Sequence, residues 1–257
     1  MRRVLPLAVA FGVLLAAGCA PDQIREDRPA FDAAYVAFQA GQWQAAVDGF
    51  TKYLRSCPTT PTRGEVYYYR GEALVHLKQP QQARADFERA IGAQAPEPIL
   101  SFARVAIGNL YYESGNDAKA VETYAQVLRE PRKELPLDMI VLRTAVSLQR
   151  LGKWATADKY LSYLLDNYPD SAAAIEARRR IHADSFSVQT GAYASAAAAQ
   201  SEADRLREAG FDARVMVTRK GAQVLHAVQV GRTQTHADAM ALVRRVSAAG
   251  FAALVVP

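Results

Sequence analysis

Cysteine is nearly missing from this sequence, with two in 257 residues. Two thiols build neither a disulfide scaffold nor a zinc site. Histidine is almost as scarce. The four present (His76, His182, His226 and His236) are scattered, without the spacing that holds a metal. No glycine loop of the phosphate-cradling kind occurs, and no nucleophile elbow. Polar side chains are plentiful, but none has the company a catalyst needs. The chain therefore reads as a non-enzyme that calls for no metal or organic cofactor. Charge of one sign is also in short supply. The net charge of +5 rests on 31 basic against 26 acidic residues, with a pI near 9.2, which raises nucleic acid or an acidic surface as a partner. That hint fades when the chain is divided. Residues 20–183 hold 21 basic and 20 acidic side chains, and residues 184–257 hold 8 and 6. Half of the residues are hydrophobic, which suits a packed core and excludes a disordered chain.

The single long apolar run lies at the start. Arg2 and Arg3 precede Val4 to Ala17, a run of about 14 residues that is short for a hydrocarbon core of ~30 Å. A charged start, a short apolar stretch and small residues at its end describe a secretory signal. It closes on Leu15-Ala16-Ala17-Gly18-Cys19, which resembles a bacterial lipobox. The resemblance implies cleavage after residue 18 and covalent lipid on Cys19. Residues 19–28 then read as a short linker. Ala20 follows the cysteine where an aspartate would favour retention at the inner membrane. The expected location is therefore the outer membrane, on its periplasmic face. Cys57, the other cysteine, reads as a small packed residue at a repeat boundary.

Residues 29–183 repeat with a period of 37. Ala46, Ala83, Ala120 and Ala157 form one column, and Phe50, Phe87, Tyr124 and Leu161 another. Gly41, Gly115 and Gly152 form a third, with Lys78 in the missing slot. Each unit reads as two helices. In the first, Phe31, Ala34, Tyr35 and Phe38 make a helical stripe that ends at Gly41. Ala46, Val47, Phe50 and Leu54 stripe the second helix. The small alanine lets helix backbones approach, and the bulky residue four positions later fills the groove between pairs. The pattern resembles the tetratricopeptide (TPR) repeat, whose usual unit is about 34 residues. The extra three residues are expected in the loops between units. Gly71 and Gly108 sit where that family places a first-helix glycine. Ser171 to Ala183 is expected to cap the stack. The resemblance implies an all-α solenoid whose first helices line a groove for a protein partner, with Tyr68 and Tyr111 as candidate anchors.

Residues 184–257 change the period to 40. Val188-Gln189-Thr190-Gly191 recurs as Val228-Gln229-Val230-Gly231, and Ala209-Gly210-Phe211 recurs as Ala249-Gly250-Phe251. Each half reads strand, helix, strand. The strands are expected at Ser185–Thr190, Asp212–Thr218, Val224–Val230 and Ala252–Val256. Gly191 is expected to end the first strand, and Val215 and Val217 to point inward from the second. The order is βαββαβ, an α+β domain with both helices on one sheet face and the other face open. The motifs Phe186, Val188, Gln189, Gly191, Tyr193 and the two Ala-Gly-Phe closures resemble a SPOR domain, the septal peptidoglycan-binding module of bacteria. An RNA-recognition module shares the topology but needs aromatics on its central strands. Here those strands offer Ser187, Gln189, Ala227 and Gln229 outward.

The SPOR resemblance implies binding of glycan strands stripped of their stem peptides. It nominates Ser187, Gln189, Tyr193, Met216, Leu225, Gln229 and Leu254 as glycan-binding residues. Ala192, Ala227, Leu225, Arg232 and Thr233 depart from the family pattern. The chain is thus expected to be an outer-membrane lipoprotein that binds peptidoglycan at the septum and recruits a protein in cell division or cell-wall remodelling. The alternative is an envelope scaffold that works through its TPR contacts, with a SPOR fold that no longer reads glycan.

Overall fold

A computed structural model describes residues 21–57 and 60–257. The signal segment and Cys19 lie outside the described residues. The chain divides into two compact units, Met1–Ala103 and Arg104–Pro257.

The first unit holds two helical hairpins. Helices α1 (Pro21–Gln39) and α2 (Trp43–Ser56) pair, as do α3 (Arg63–His76) and α4 (Pro80–Gly92). Helix α1 starts earlier than expected and runs through the stretch read as a linker, with Pro29 inside it.

The 37-residue comb marks the tightest packing. Ala46 and Phe50 are fully buried, as are Ala83 and Phe87. A Cβ on Gly71 would lie 2.7 Å from the Phe87 ring, so only glycine lets the two helices close at that point. An aromatic cluster extends this core. Tyr35 meets Tyr69 edge-on at 4.9 Å, and Trp43 stacks flat on His76 at 3.8 Å. Cys57 is fully buried at the end of α2, in the packed role expected of it. One buried charge is fully answered. Asp86, 1% exposed, accepts from Arg70 at 2.6 and 2.8 Å and from Arg89 at 2.8 Å. Such a pair is tolerated in a core only because every carboxylate oxygen finds a donor.

The turns inside the hairpins are alike. In each, the chain reverses through one residue at positive φ: Gly41 at 70°, Lys78 at 60°, Gly115 at 73° and Gly152 at 75°. The missing glycine slot therefore keeps the glycine conformation, at a steric cost that Lys78 bears. The intra-hairpin turns take three residues each, and the connections between hairpins are longer, where the extra repeat length was expected.

Helix α5 (Ile99–Glu113) begins in the first unit and continues into the second. The second unit continues with α6 (Asp117–Arg129), α7 (Leu137–Arg150), α8 (Trp154–Asn167) and α9 (Ala172–Arg180). Ala120, Tyr124, Ala157 and Leu161 are all fully buried, so the comb persists. A Cβ on Gly108 would meet the Tyr124 ring at 2.6 Å, the same close approach as in the preceding repeat. The Tyr124 hydroxyl, pushed up to about 12 chiefly by burial, donates to Asn109 Oδ1 at 2.7 Å. Helix α9 is capped by Ser171, whose hydroxyl accepts from the Ala174 N–H. It lays Ala173 and Ala177 against Val141, Leu161 and Leu164 and closes the stack.

A four-stranded antiparallel sheet follows, built from β1 (Phe186–Tyr193), β2 (Ala213–Lys220), β3 (Gln223–Thr233) and β4 (Leu254–Val256), in the order β2-β3-β1-β4. Helices α10 (Ala196–Glu208) and α11 (His236–Ala248) cover one face. Ala199, Ala203, Leu206 and Val246 pack on Val188, Val228 and Val230. The 40-residue repeat is visible throughout. Ser195 and Thr235 cap the two helices through the N–H groups of Ala198 and Asp238. Arg205 covers the Phe251 ring and Arg245 covers the Phe211 ring, so each half supplies the cation for the aromatic of the other.

Two strand expectations need correcting. The first strand does not end at Gly191 but runs on to Tyr193, because a bulge absorbs the irregularity. Val217 points to the helix side as expected yet is 68% exposed. Helix α10 meets β2 but α11 does not, and among the described residues nothing covers that position.

The sheet domain is docked on the last repeat. Trp154, at the start of α8, is 8% exposed and packs with Phe186, Ala239, Ala183 and Val255. Its ring meets Phe186 edge-on at 4.8 Å, and its indole N–H donates to the Gln234 carbonyl at 3.0 Å. Close by, burial and the Arg150 guanidinium hold the His236 imidazole below its ordinary pKa, against an opposing pull from Asp117.

Candidate functional site

Strand pairing decides which side chains share the uncovered face. Gln189 lies directly opposite Gln229 on the two central strands. The outer strands extend that line, since Arg214 pairs with Gln229 and Leu254 with Gln189. The row across the sheet is therefore Arg214, Gln229, Gln189, Leu254. Residues Gln189 and Gln229 are 40 apart, so the internal repeat places its own two copies face to face at the centre of the sheet.

The neighbouring row is Met216, Ala227 and Ala192, followed by Thr218 and Leu225. On the other side of the central row stand Ser187 and Val256. Met216 is 46% exposed and Leu254 65%, while Gln189, Gln229 and Leu225 are half-buried. Two amides thus lie between Arg214 and the exposed Leu254, with the exposed Met216 in the adjacent row. The arrangement offers donors and acceptors to hydroxyls and flat apolar area to a sugar ring.

Six of the seven expected residues lie on this face: Ser187, Gln189, Met216, Leu225, Gln229 and Leu254. Tyr193 does not. Alternation from Gln189 would have put it outward, but the ladder slips by one residue between Gln189 and Gly191. Thr190 is the extra residue, and the slip inverts the parity of everything after it. Gly191 consequently pairs with Val228 and Tyr193 with His226, both on the helix side. There the Tyr193 ring folds over Gly191, where a Cβ would sit 2.7 Å from it. Burial raises the Tyr193 hydroxyl pKa, with Glu202 of α10 adding to the effect. Tyr193 is a lid on the helix layer rather than part of the open face.

Ser187 shares the face but is nearly covered, at 6% exposure. Its hydroxyl accepts from Arg214 Nη2 at 2.9 Å. Arg214 was legible as an outward residue of the second strand, yet its place beside the central amides depends on the register between β2 and β3. No periodicity in the sequence supplies that register.

The helical region places its two candidates differently. Tyr68 is half-buried, touching Tyr69, Phe87 and Phe102. Its hydroxyl pKa is raised by burial and then by Glu72. Tyr111 is partly exposed, with the Lys119 ammonium 5.3 Å above its ring. In the second unit the neighbouring Tyr112 is held between Arg143 and Arg150, at 5.1 and 4.6 Å. A cavity of about 370 Å³, lined by Leu128, Pro131, Leu137, Val141, Tyr160 and Tyr163, also opens in this unit. Sequence reasoning passed over it because its lining is drawn from α6, α7, α8 and the loop at Pro131. The signal available was Tyr160 and Tyr163 three residues apart, with Tyr163 half exposed.

Among the described residues no group of histidines, cysteines and carboxylates could hold a metal ion. No described helix is long and apolar enough to cross a membrane.

Comparison with known families agrees with this geometry. Residues 183–257 match the SPOR domain, and residues 64–96, 102–131 and 141–171 match tetratricopeptide repeats. The chain carries TPR repeats and a C-terminal SPOR domain. Both are binding modules. No curated protein matches the chain. Among solved structures, it is similar to a tetratricopeptide repeat protein from Parabacteroides merdae, with a TM-score of 0.52, 15% identity and coverage of 62% of this chain and 58% of that one. It is also similar to YrrB, described as a TPR protein with an unusual peptide-binding site, with a TM-score of 0.49, 23% identity and coverage of 58% and 72%. At 15% identity the likeness to the Parabacteroides merdae protein speaks to the helical fold alone.

Proposed function

We propose that this chain is an outer-membrane lipoprotein, held by lipid on Cys19, whose SPOR domain binds peptidoglycan strands lacking stem peptides and whose TPR helices recruit a protein partner during cell division or wall remodelling. One observation carries the glycan part: the facing pair Gln189 and Gln229 at the centre of an uncovered sheet, flanked by Met216 and Leu254. A glycan presents many hydroxyls and apolar ring faces, and side-chain amides both donate and accept toward hydroxyls. The SPOR match supports the same ligand class, and the TPR matches support a protein partner. The export signal and lipobox-like ending support a periplasmic location for both modules, where peptidoglycan lies.

The test uses the full-length protein in detergent and purified sacculi, before and after amidase treatment. Retention should rise after the amidase, and Gln189→Ala with Gln229→Ala should remove the gain. Equal retention on both preparations would sink the denuded-glycan reading. In dividing cells a fluorescent fusion should gather at the septum. Persistence of that pattern in the double variant would mean the face is not the reader, and would favour a scaffold acting through its TPR contacts.

A further inference from the structure

Among the described residues, nothing on the open face answers one of its charges. Arg214 is the cation of the central row, beside Gln229 and Gln189. The other strand positions on this face include Ser187, Ala192, Met216, Thr218, Gln223, Leu225, Ala227, Leu254 and Val256, and none of these is acidic. Among the described residues Arg214 forms no salt bridge. Its Nη2 donates to the Ser187 hydroxyl at 2.9 Å and more distantly to the Gly231 carbonyl at 3.5 Å. Its Nε–H is buried and has no hydrogen-bond partner. Arg143, also half-buried, is held by the neutral Asn109 amide oxygen and the Tyr112 ring, but two other half-buried arginines have counter-ions. Arg70 has Asp86 and Arg180 has Glu176. A partly desolvated guanidinium held in place by neutral oxygens is prepared for an anion from outside.

We propose that Arg214 makes this face a reader of carboxylate-bearing glycan, binding the free lactyl carboxylate of a muramyl residue. The inference rests on the glycan reading above and sharpens it. In a strand that keeps its stem peptide, that carboxyl group is tied up in an amide and has no charge. Removal of the peptide exposes one carboxylate per muramyl unit. A fixed cation beside the two glutamines therefore distinguishes stripped from peptide-bearing strands by charge as well as by bulk. The guanidinium suits the task because it is planar, permanently charged and able to give parallel hydrogen bonds to both oxygens of a carboxylate. Ser187 serves as the positioning residue that holds it.

Full-length protein in detergent is titrated with a soluble, peptide-free muramyl glycan and with the same glycan after its carboxyl groups are reduced to alcohols. Reduction should weaken binding by about tenfold or more, the usual worth of a hydrogen bond to a charged group. Added salt should weaken binding to the native glycan and leave the reduced one nearly unchanged. Arg214→Gln should bind both glycans as weakly as the unaltered protein binds the reduced one, and Arg214→Lys should recover part of the preference. Equal affinity of the unaltered protein for both glycans overturns the role of Arg214 while leaving glycan binding in place. Failure to bind either one overturns both readings. The comparison needs no variant, so poor folding of Arg214→Gln would not obscure it.

Discussion

Replacing Trp154 by alanine should release the sheet domain from the last repeat without unfolding either. Trp154 belongs to α8, but its buried neighbours Phe186, Ala239 and Val255 belong to the sheet domain. A tryptophan side chain buries roughly 200 Å². At about 25 cal/mol/Å² that is about 5 kcal/mol. The remaining methyl group and partial collapse of the cavity reduce the loss to about 3 kcal/mol, within the range seen for such truncations. Losing the hydrogen bond from the indole N–H to the Gln234 carbonyl adds about 1 kcal/mol. A total of about 4 kcal/mol raises the undocked population by roughly a thousandfold. The chain between α9 and β1, residues 181–185, becomes the exposed link. Its cleavage under limiting protease follows that population when reclosing is fast. Cleavage there should accelerate by about a thousandfold in Trp154→Ala. In Trp154→Phe, which keeps a ring and loses the N–H, the effect should be about fivefold at the least. Cleavage of Trp154→Ala within a few-fold of the unaltered protein would refute the idea that this contact holds the two parts together.

Two further predictions concern the helical hairpins. Lys78 occupies a left-handed turn position that glycine fills in the other three hairpins. Lys78→Gly should stabilise the first unit by about 1 kcal/mol, the relief of strain less the entropy gained by the unfolded chain, read from the urea midpoint of Trp43 fluorescence in a Trp154→Phe background. A lowered midpoint would contradict it. Burial pushes the Glu72 carboxyl up to about 7. Its folded pKa lies above the unfolded value, so the folded state holds the extra proton between about pH 4.5 and 7 and stability declines as pH rises through that window. Glu72→Gln should therefore be nearly neutral at pH 4 and stabilise by roughly 3 kcal/mol at pH 8. A gain that does not vary with pH would show that the cause is not ionisation.

Much of this architecture is legible in the residues because it depends on local chemistry repeated at a fixed interval. Ala46, Ala83, Ala120 and Ala157 mark where helices touch, and all four are fully buried. The glycine column marks the turns, and even its exception, Lys78, adopts the expected conformation. The second period identified the central glutamines, because two copies of one strand that pair side by side bring equivalent residues together. These features follow from periodicity, and periodicity is written along the chain.

Other features were decided only when distant segments met. Tyr193 has the parity of a face residue in sequence, and one bulge residue, Thr190, sends it to the opposite side. Val217 alternates correctly, but the reach of α10 and α11 leaves it bare. Arg214 became part of the central row through the register of β2 against β3, and its missing counter-charge could be recognised only with its neighbours in place. Trp154 lies three repeat periods after Trp43 and so holds the equivalent position in the last unit, yet it packs on the sheet domain. The sequence by itself determined the modules, their repeats and the two amides that face each other. The tertiary structure decided sidedness, cover and charge balance, because these depend on strand register and on where helices end, and neither quantity is local.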